Sequence, residues 1–371
     1  MLHKTELSDA KRALLEKYMR GDSAQVKKDG ETIPRRTQGG AIPLSFAQQQ
    51  MWLLSQLIPD TPVYNEAVTV HLPALLDVAA LERSLNEIIR RHEAWRTIFP
   101  VVDGRPVQVI QPSLTISLPM IDLRHLSEAE REVEALRLAT QDAQQPFDLT
   151  KGPLLRVMLI RFNEAEQRLY LTLHHIIFDG SSVYQVFLPE LRTLYEAFST
   201  GQSSPLPDLP LQYADFAVWQ REWLQENVLE DQIAYWKTQL KDAPAMLELP
   251  TDRPRPQVPG YRGAVTSFLL PKQLADALKE LSRQEGVTLY VILLAAFNTL
   301  LYRYTGQEDI LIGTVTAGRK QVEVEQLLGI FINTLVLRTD LGGNPDFREL
   351  LRRVQEVTLE AQDHQDVPFE Y

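Results

Sequence analysis

The sequence contains no cysteine. That absence excludes disulfide bridges, zinc–thiolate sites and any mechanism that passes through an acyl-cysteine intermediate. No apolar run is long enough to cross a bilayer, so no membrane-spanning helix is predicted. The opening residues Met-Leu-His-Lys-Thr-Glu-Leu-Ser lack the apolar region of a secretory signal, which is typical of a cytoplasmic protein.

Positive charge is scarce as well. Lys and Arg number 38 against 49 Asp and Glu, which gives a net charge of −11. No dense basic cluster offers a footprint for nucleic acid. The 44% hydrophobic and 23% charged residues are typical of a soluble globular protein. A length of 371 residues allows two domains of ordinary size.

Two adjacent histidines close an apolar stretch near the middle of the chain. Aliphatic, aromatic and β-branched residues over 168–175 predict a strand that ends in His174 and His175. Because strand side chains alternate between faces, these two should point in opposite directions and not share a metal ion. His175 is then expected on the face of Leu169, Leu171 and Leu173. The pair is either a structural feature of a buried strand or one catalytic and one structural residue.

An Asp-Gly pair follows the histidines. Asp179 and Gly180 are predicted to turn the chain, and Ser181 or Ser182 to cap the next helix. Elsewhere Ser45 is predicted to cap a helix, and Ser127 with Glu130 forms a capping-box pattern.

Other segments are assigned from periodicity and composition. A helix is predicted over 7–21, a flexible linker over 22–40 and a proline-rich linker over 199–212. A helix from 213 is expected to continue to 240 with a break near Asn227, and the helix 288–304 is expected to be largely buried.

The His-His-x-x-x-Asp-Gly pattern at 174–180 resembles the signature of condensation domains of non-ribosomal peptide synthetases. These domains are part of the wider chloramphenicol-acetyltransferase-like superfamily. Further segments resemble other motifs of the condensation family, and they occur in the family's order. They are residues 44–54 (Leu-Ser-Phe-Ala-Gln-Gln-Gln-Met-Trp-Leu-Leu), 91–99 (Arg-His-Glu-Ala-Trp-Arg-Thr-Ile-Phe), 213–219, 328–338 and 364–370 (His-Gln-Asp-Val-Pro-Phe-Glu).

This resemblance implies an α/β (α+β) fold of two chloramphenicol-acetyltransferase-like lobes in a V, with a central tunnel between them. Residues 1–39 would form an N-terminal helix and inter-module linker, 40–210 the N-terminal lobe and 211–371 the C-terminal lobe. Family members continue to a seventh motif, Arg-Asp-x-Ser-Arg, which this sequence does not contain. The second lobe is therefore expected to be incomplete at its C-terminal side.

The implied activity is amide bond formation between a donor acyl or peptidyl thioester and the amine of an acceptor aminoacyl thioester. Both substrates would be carried on phosphopantetheine arms of partner proteins, so the domain itself would bind no cofactor and no metal. Upstream donor and downstream acceptor carrier proteins and an adjacent adenylation domain are the implied partners, with no nucleic acid or membrane involved.

Site roles also follow from the resemblance. His175 would act as a general base or position the amine, near the middle of the tunnel. Gly180 would line the tunnel, where its backbone amide can meet an oxyanion. Ser181 and Asn333 are placed in the tunnel, with a hydrogen bond inside the core as the alternative for Asn333. His174, Asp179 and Arg319 would be structural, the last two as a salt bridge between the lobes.

Several alternatives remain open. A free acyl-CoA-dependent acyltransferase of the same superfamily and a catalytically silent docking platform for carriers are the main ones. Cyclisation domains are disfavoured because they carry Asp-x-x-x-x-Asp in place of the histidines, and epimerisation domains because their other motifs differ. The run Phe178-Asp-Gly-Ser-Ser182 is similar to condensation domains that follow polyketide modules, which favours a β-substituted acyl donor in a hybrid assembly line.

Overall fold

A computed structural model describes residues 32–36, 41–59, 61–72, 76–254 and 263–369, together with Ala74, Pro256, Gly260 and Tyr371, with the side chains of 226 and 227 left aside. The helix predicted over 7–21 and most of the linker predicted over 22–40 lie outside these residues. The fold mixes helices with antiparallel and parallel strand pairs, as an α/β (α+β) assignment requires.

The strands are β1 Ile42–Pro43, β2 Asn65–Leu72, β3 Thr97–Ile98, β4 Val101–Val102, β5 Arg105–Ile110, β6 Met120–Asp122, β7 Leu155–Arg161, β8 Gln167–His174, β9 Asp309–Thr316 and β10 Asn333–Asp340. The helices are α1 Phe46–Leu57, α2 Val78–Arg91, α3 Glu128–Ala143, α4 Leu188–Ser199, α5 Tyr213–Trp223, α6 Glu226–Gln239, α7 Lys272–Glu285, α8 Leu289–Thr305 and α9 Phe347–Asp363.

The histidine-bearing strand β8 lies inside a four-stranded sheet of order β2-β8-β7-β6. It pairs antiparallel with β2 and β7, and only β6 and β7 run parallel in this sheet. The register sets His174 opposite Asn65 and Leu173 opposite Leu155. Leucines on alternate positions of β8 are buried, since they point into the core that supports the end of this strand.

Side-chain caps fix the starts of the helices near this sheet. Ser45 accepts from the backbone of Gln48, whose side chain reaches back to the Ser45 N–H, so both members of a capping box are present. Ser127 and Glu130 form the same arrangement at α3. Both caps confirm the sequence prediction.

Besides a small cluster around Ile160 and Phe162, two larger hydrophobic clusters divide the interior of the described residues. The larger contains residues of strands β2, β7 and β8 and of helices α2 and α4, together with the first turns of α5 and residues 324–331. The buried members of the smaller one all lie after residue 286, between α8, α9 and the two-stranded antiparallel sheet of β9 and β10. Because 324–331 packs into the larger cluster, the second half of the chain reaches back across the boundary near residue 210.

Two sequence predictions need correction, and a third is confirmed. The proline-rich stretch 199–212 is not a free linker, because Leu209 and Leu211 are 7% and 6% exposed in the larger cluster. The break predicted near Asn227 is confirmed, since the helix from 213 is interrupted at Leu224 and Gln225 and then continues to Gln239. Helix α8 is buried on one side only, and on its other side five large apolar residues are 44–64% exposed.

Among the described residues no single helix is long and apolar enough to cross a membrane. Helices α7 and α8 reach that length and composition only as a pair, and they are bent by 105°.

Candidate functional site

The strand ends one residue earlier than predicted. His174 is the last residue of β8, and His175 begins a short 3₁₀ turn, His175–Ile177. His175 therefore lies in the turn after the strand, and it is half-buried where Leu169, Leu171 and Leu173 are fully buried. Its backbone N–H donates to the carbonyl of Tyr64 at 2.8 Å, which holds the turn against the residue preceding β2.

The His175 ring is oriented by the turn that follows it. Its Nδ1 lies 3.0 Å from the carbonyl oxygen of Phe178, and its ring stacks on the Phe178 ring at 5.2 Å between centroids. A carbonyl oxygen can only accept a hydrogen bond, so Nδ1 carries the proton in the neutral imidazole. The lone pair then resides on Nε2, which leaves that atom able to accept a proton from another group.

His174 is committed to the interior. It is 6% exposed, its Nδ1 accepts the N–H of Ile176 at 3.2 Å, and its ring lies against those of Tyr64 and Phe147. Burial, with a smaller contribution from the charge of His175, lowers the pKa of His174 to about 4. The His174 ring is therefore neutral near pH 7, and its contacts give it a structural role.

Asp179 is fully buried and each of its oxygens is used. Oδ1 accepts from the Ser182 N–H at 2.8 Å, and Oδ2 accepts from the Phe331 N–H at 3.0 Å. This corrects the predicted cap, because Asp179 rather than Ser181 or Ser182 caps the segment that follows. Ser181 makes no side-chain capping bond.

Arg319 meets Asp179 from the second half of the chain. Its Nη2 lies 3.2 Å from Asp179 Oδ1 and 2.9 Å from Ser182 Oγ, and its Nη1 donates to the carbonyls of Val324 and Leu327. The guanidinium also lies over the Phe331 ring at 4.0 Å. The structure thus brings together the two residues that the family resemblance pairs.

Gly180 and Ser181 lie beside this buried network. Gly180 is exposed, its φ is not positive, and a Cβ built on it would meet nothing within 4 Å. Neither backbone conformation nor packing therefore requires glycine at this position. A wide π-type turn, Ser182–Phe187, leads from here into α4, and turns of this kind occur often at functional sites.

Asn333 is held by the segment near the C-terminal end of the chain. Its side-chain amide donates to the carbonyls of Gln365 and Val367 at 2.8 and 2.6 Å, and its Oδ1 accepts the Thr334 N–H. These are the internal hydrogen bonds that the sequence left as the alternative to a tunnel position. Asn333 still lines a narrow crevice of about 50 Å³ between α1, α5 and the end of the chain.

A histidine of the segment 91–99 is also held inside the fold. His92 is 1% exposed, its Nδ1 accepts the Leu328 N–H, and its Nε2 lies 2.9 Å from Glu190, which also pairs with Arg91. Both ring nitrogens of His92 therefore have partners inside the fold. Among the described residues no three His, Asp or Glu side chains come together in a way that could hold a metal ion.

A profile of the family described as Condensation domain matches residues 38–371. The chain belongs to the condensation-domain family. Members of this family are acyltransferases that form amide bonds in non-ribosomal peptide synthetases.

Related synthetases are much longer than this condensation domain. One of the linear gramicidin synthase proteins of Brevibacillus parabrevis is 52% identical over 352 residues, which are 95% of this chain and 4% of that protein. The chain therefore spans only a small fraction of the length of these curated relatives.

Solved condensation-like domains share the fold. The X-domain of teicoplanin biosynthesis, solved in a complex with OxyB, superposes with a TM-score of 0.80 at 31% identity, over 92% of this chain and 74% of that one. The first condensation domain of the calcium-dependent antibiotic synthetase, solved with a substrate analogue, gives 0.79 at 24% identity, over 90% and 77%.

Sequence reasoning missed one central residue of this condensation domain, Ser182. Its Oγ lies 2.7 Å from the Gly329 carbonyl and accepts the Gly329 N–H at 3.1 Å, which ties the turn after Asp179 to the far half of the chain. The local pattern, a second serine after Asp179-Gly180, indicates only a helix cap. A contact over 147 positions is not readable from such a pattern.

Proposed function

We propose that this chain condenses a donor acyl or peptidyl thioester with the amine of an acceptor aminoacyl thioester, both held on phosphopantetheinyl carrier proteins. The acceptor nitrogen bonds to the donor carbonyl carbon, and the carbon–sulfur bond of the donor breaks. The proton lost by the amine ends on the departing donor thiol, so the exchange needs no oxidant, reductant or added cofactor.

The observation that carries this proposal is the orientation of His175. The Phe178 carbonyl holds the proton on Nδ1, so Nε2 is free to accept a hydrogen bond or a proton from the acceptor amine. General-base assistance of this kind is worth roughly 10²–10⁴-fold in rate. Since a thioester is already activated, alignment of amine and carbonyl contributes at least as much, and His175 serves both roles from one position.

We also assign to Gly180 the space that the reacting groups need near this histidine. No feature of its backbone or packing explains the absence of a side chain, whereas a passage for a pantetheine arm would. We assign Gly180 and Ser181 to the wall of the tunnel, with the Gly180 N–H as donor to the oxyanion of the tetrahedral intermediate. His174, Asp179 and Arg319 act as structural supports that fix the turn carrying His175.

The architecture we propose has two lobes in a V, residues 40–210 and 211–371, with 1–39 as an upstream linker. Helix α5 and residues 324–331, which pack into the larger core, would join the lobes. The tunnel would run between them. Asn333 would then border the tunnel with the exposed part of its side chain, while its side-chain amide stays hydrogen-bonded to Gln365 and Val367.

An exposed apolar surface supports an incomplete second lobe. Tyr290, Leu293, Phe297, Leu300 and Tyr304 recur at helical spacing on the outer side of α8. Residues 263–270, which precede α7, form no strand pair, and Val265, Phe268 and Leu269 are 82–96% exposed. An apolar surface of this extent is normally covered, and further polypeptide of the same lobe is the covering we propose.

The partners we propose are an upstream donor carrier, a downstream acceptor carrier and an adjacent adenylation domain. The similarity to peptide synthetases supports this, because those proteins are many times longer than the matched region. The donor in this proposal is a β-substituted acyl group, on the strength of the Phe178–Ser182 run alone.

A transfer assay tests the proposal. Donor and acceptor carriers loaded with an acyl group and an amino acid are mixed with the protein, and intact-protein mass spectrometry follows the acyl mass. Movement of that mass onto the acceptor carrier supports condensation. Acylation of a free amine from acyl-CoA alone would favour the acyl-CoA alternative, and carrier binding without transfer would favour a docking platform.

A further inference from the structure

The short segment Thr32–Arg36, just before the residues that match the family, is docked on the domain. Ile33 is 5% exposed and belongs to the larger hydrophobic cluster. Burial of this side chain favours the docked position, because its apolar surface is removed from water. This segment lies within the stretch predicted to be a flexible linker, and its sequence pattern gives no indication of docking.

Arg36 fixes the same segment by charge. Its Nη2 lies 2.7 Å from Glu93 and its Nη1 lies 2.8 Å from Asp215, while its backbone N–H also donates to Asp215. Asp215 is 2% exposed, and Arg36 supplies the cation beside this buried carboxylate. A pair this deeply placed is far less screened than a surface ion pair.

The two partners of Arg36 belong to different parts of the fold. Glu93 lies in the 3₁₀ turn at the end of α2, and Asp215 in the first turn of α5, the helix that leads into the second half of the chain. Arg35, by contrast, is exposed at a recess of about 470 Å³ that it lines with Arg90 and Asp208. Adjacent arginines thus differ sharply in how they are held.

We propose that Ile33 and Arg36 form an anchor that ends the upstream linker at residue 32 and fixes the direction from which the donor carrier approaches. The functional part of this inference rests on the proposed condensation activity. Without the anchor, the nine residues 33–41 would join the tether and add a coil of roughly 15–18 Å root-mean-square extent. A longer and undirected tether lowers the effective concentration of the attached carrier.

The anchor is tested first without any chemistry. Since the chain has no cysteine, Thr32→Cys and Val133→Cys give two unique sites for nitroxide labels. Pulsed electron spin resonance should show one narrow distance distribution, which broadens in Arg36→Ala and more in Ile33→Ser/Arg36→Ala. Arg35→Ala is the matched control and should leave it narrow. A broad distribution in the parent, or one that the double substitution leaves narrow, overturns the anchor.

Its functional consequence is tested by comparing a donor carrier fused before Met1 with the same carrier added separately. Ile33→Ser/Arg36→Ala should slow transfer from the fused carrier by about 1.5-fold or more, from tether length alone, and leave transfer from a saturating separate carrier unchanged. Equal loss in both formats, or no loss in either, contradicts the proposed role. If the parent forms no amide in either format, the condensation proposal fails, while the spin-label result still decides whether the anchor exists.

Discussion

The carboxylate of Asp179 and the guanidinium of Arg319 lie 3.2 Å apart although 140 positions separate them in sequence. Their side chains are 0% and 5% exposed, so the pair is formed almost without water. Two backbone N–H groups also point at Asp179, from Ser182 and Phe331. The turn that carries His175 is thereby bound to the loop before β10.

The first prediction concerns this pair. Arg319→Met leaves a buried carboxylate without its cation and should lower the free energy of unfolding by about 3–5 kcal/mol. Adding Asp179→Asn should recover part of that loss, because the buried charge is removed while an oxygen acceptor remains. Urea unfolding of the parent, both single variants and the double variant measures the coupling. Additive losses would contradict a direct interaction.

An exchange of the two charges is a poor test here. The N–H groups of Ser182 and Phe331 are aimed at position 179, and an arginine there would face two donors. Failure of Asp179→Arg/Arg319→Asp to refold would therefore follow from these backbone contacts alone. Arg319→Met, Asp179→Asn and their combination avoid that problem, because they place no cation at position 179.

The elements around the site could be predicted from the sequence where the signal is local. The Ser45 and Ser127 caps depend on spacing within one turn, and the alternation of leucines in β8 depends on one strand, so both follow from pattern. The end of β8 does not, because the apolar residues Ile176–Phe178 would fit a continued strand equally well. In the structure the His174 ring accepts the Ile176 N–H and a 3₁₀ turn begins at His175, and composition does not indicate this change of backbone.

The same limit explains the other differences. Leu209 and Leu211 occur among prolines and serines, a composition typical of a loop, and only the fold brings a core beneath them. Helix α8 is apolar all round, which predicts burial on every side, yet its outer face is exposed in this chain. The Asp179–Arg319 pair is predictable only because a family resemblance supplies a long-range partner.

The second prediction is a pH dependence of stability. The pKa of His174 is lowered to about 4 in the fold from 6.5, so between these pH values the unfolded chain binds a proton that the folded chain does not. Acidification from pH 8 to pH 5 should therefore remove roughly 2 kcal/mol of stability through this residue. Chemical unfolding of the parent and of His174→Gln at both pH values gives the difference in their free energies of unfolding, which isolates the contribution of His174. A difference that does not change with pH would contradict the buried, neutral ring.

The third prediction separates folding from function at Gly180. Gly180→Ala should change the free energy of unfolding by less than about 0.5 kcal/mol, since the new methyl meets nothing within 4 Å. Transfer should nonetheless slow by about tenfold to a hundredfold, because the methyl occupies space that the reacting arms need. Gly263→Ala, also in open space, is the matched control. Full activity of the Gly180 variant would remove Gly180 from the tunnel wall.

The fourth prediction concerns the exposed side of α8. Leu300→Gln should alter stability by less than about 0.5 kcal/mol, because this side chain is already 49% exposed. It should also reduce binding of a hydrophobic dye to the isolated chain. Leu294 lies on the buried side and is 6% exposed, so Leu294→Gln should lower the free energy of unfolding several-fold more than Leu300→Gln. Similar losses for both variants would mean that the outer side is covered within this chain.

The most direct measurement of the central claim is single-turnover amide formation by the parent, His175→Ala and His175→Gln, with loaded donor and acceptor carriers and circular dichroism as a check on folding. We expect His175→Ala to lose roughly 10²–10⁴-fold in rate while both carriers still bind. His175→Gln should recover only the part that depends on positioning the amine, since an amide cannot take up its proton. Parent-like rates in both folded variants would contradict the account, because the imidazole that Phe178 orients would then have no part in the reaction.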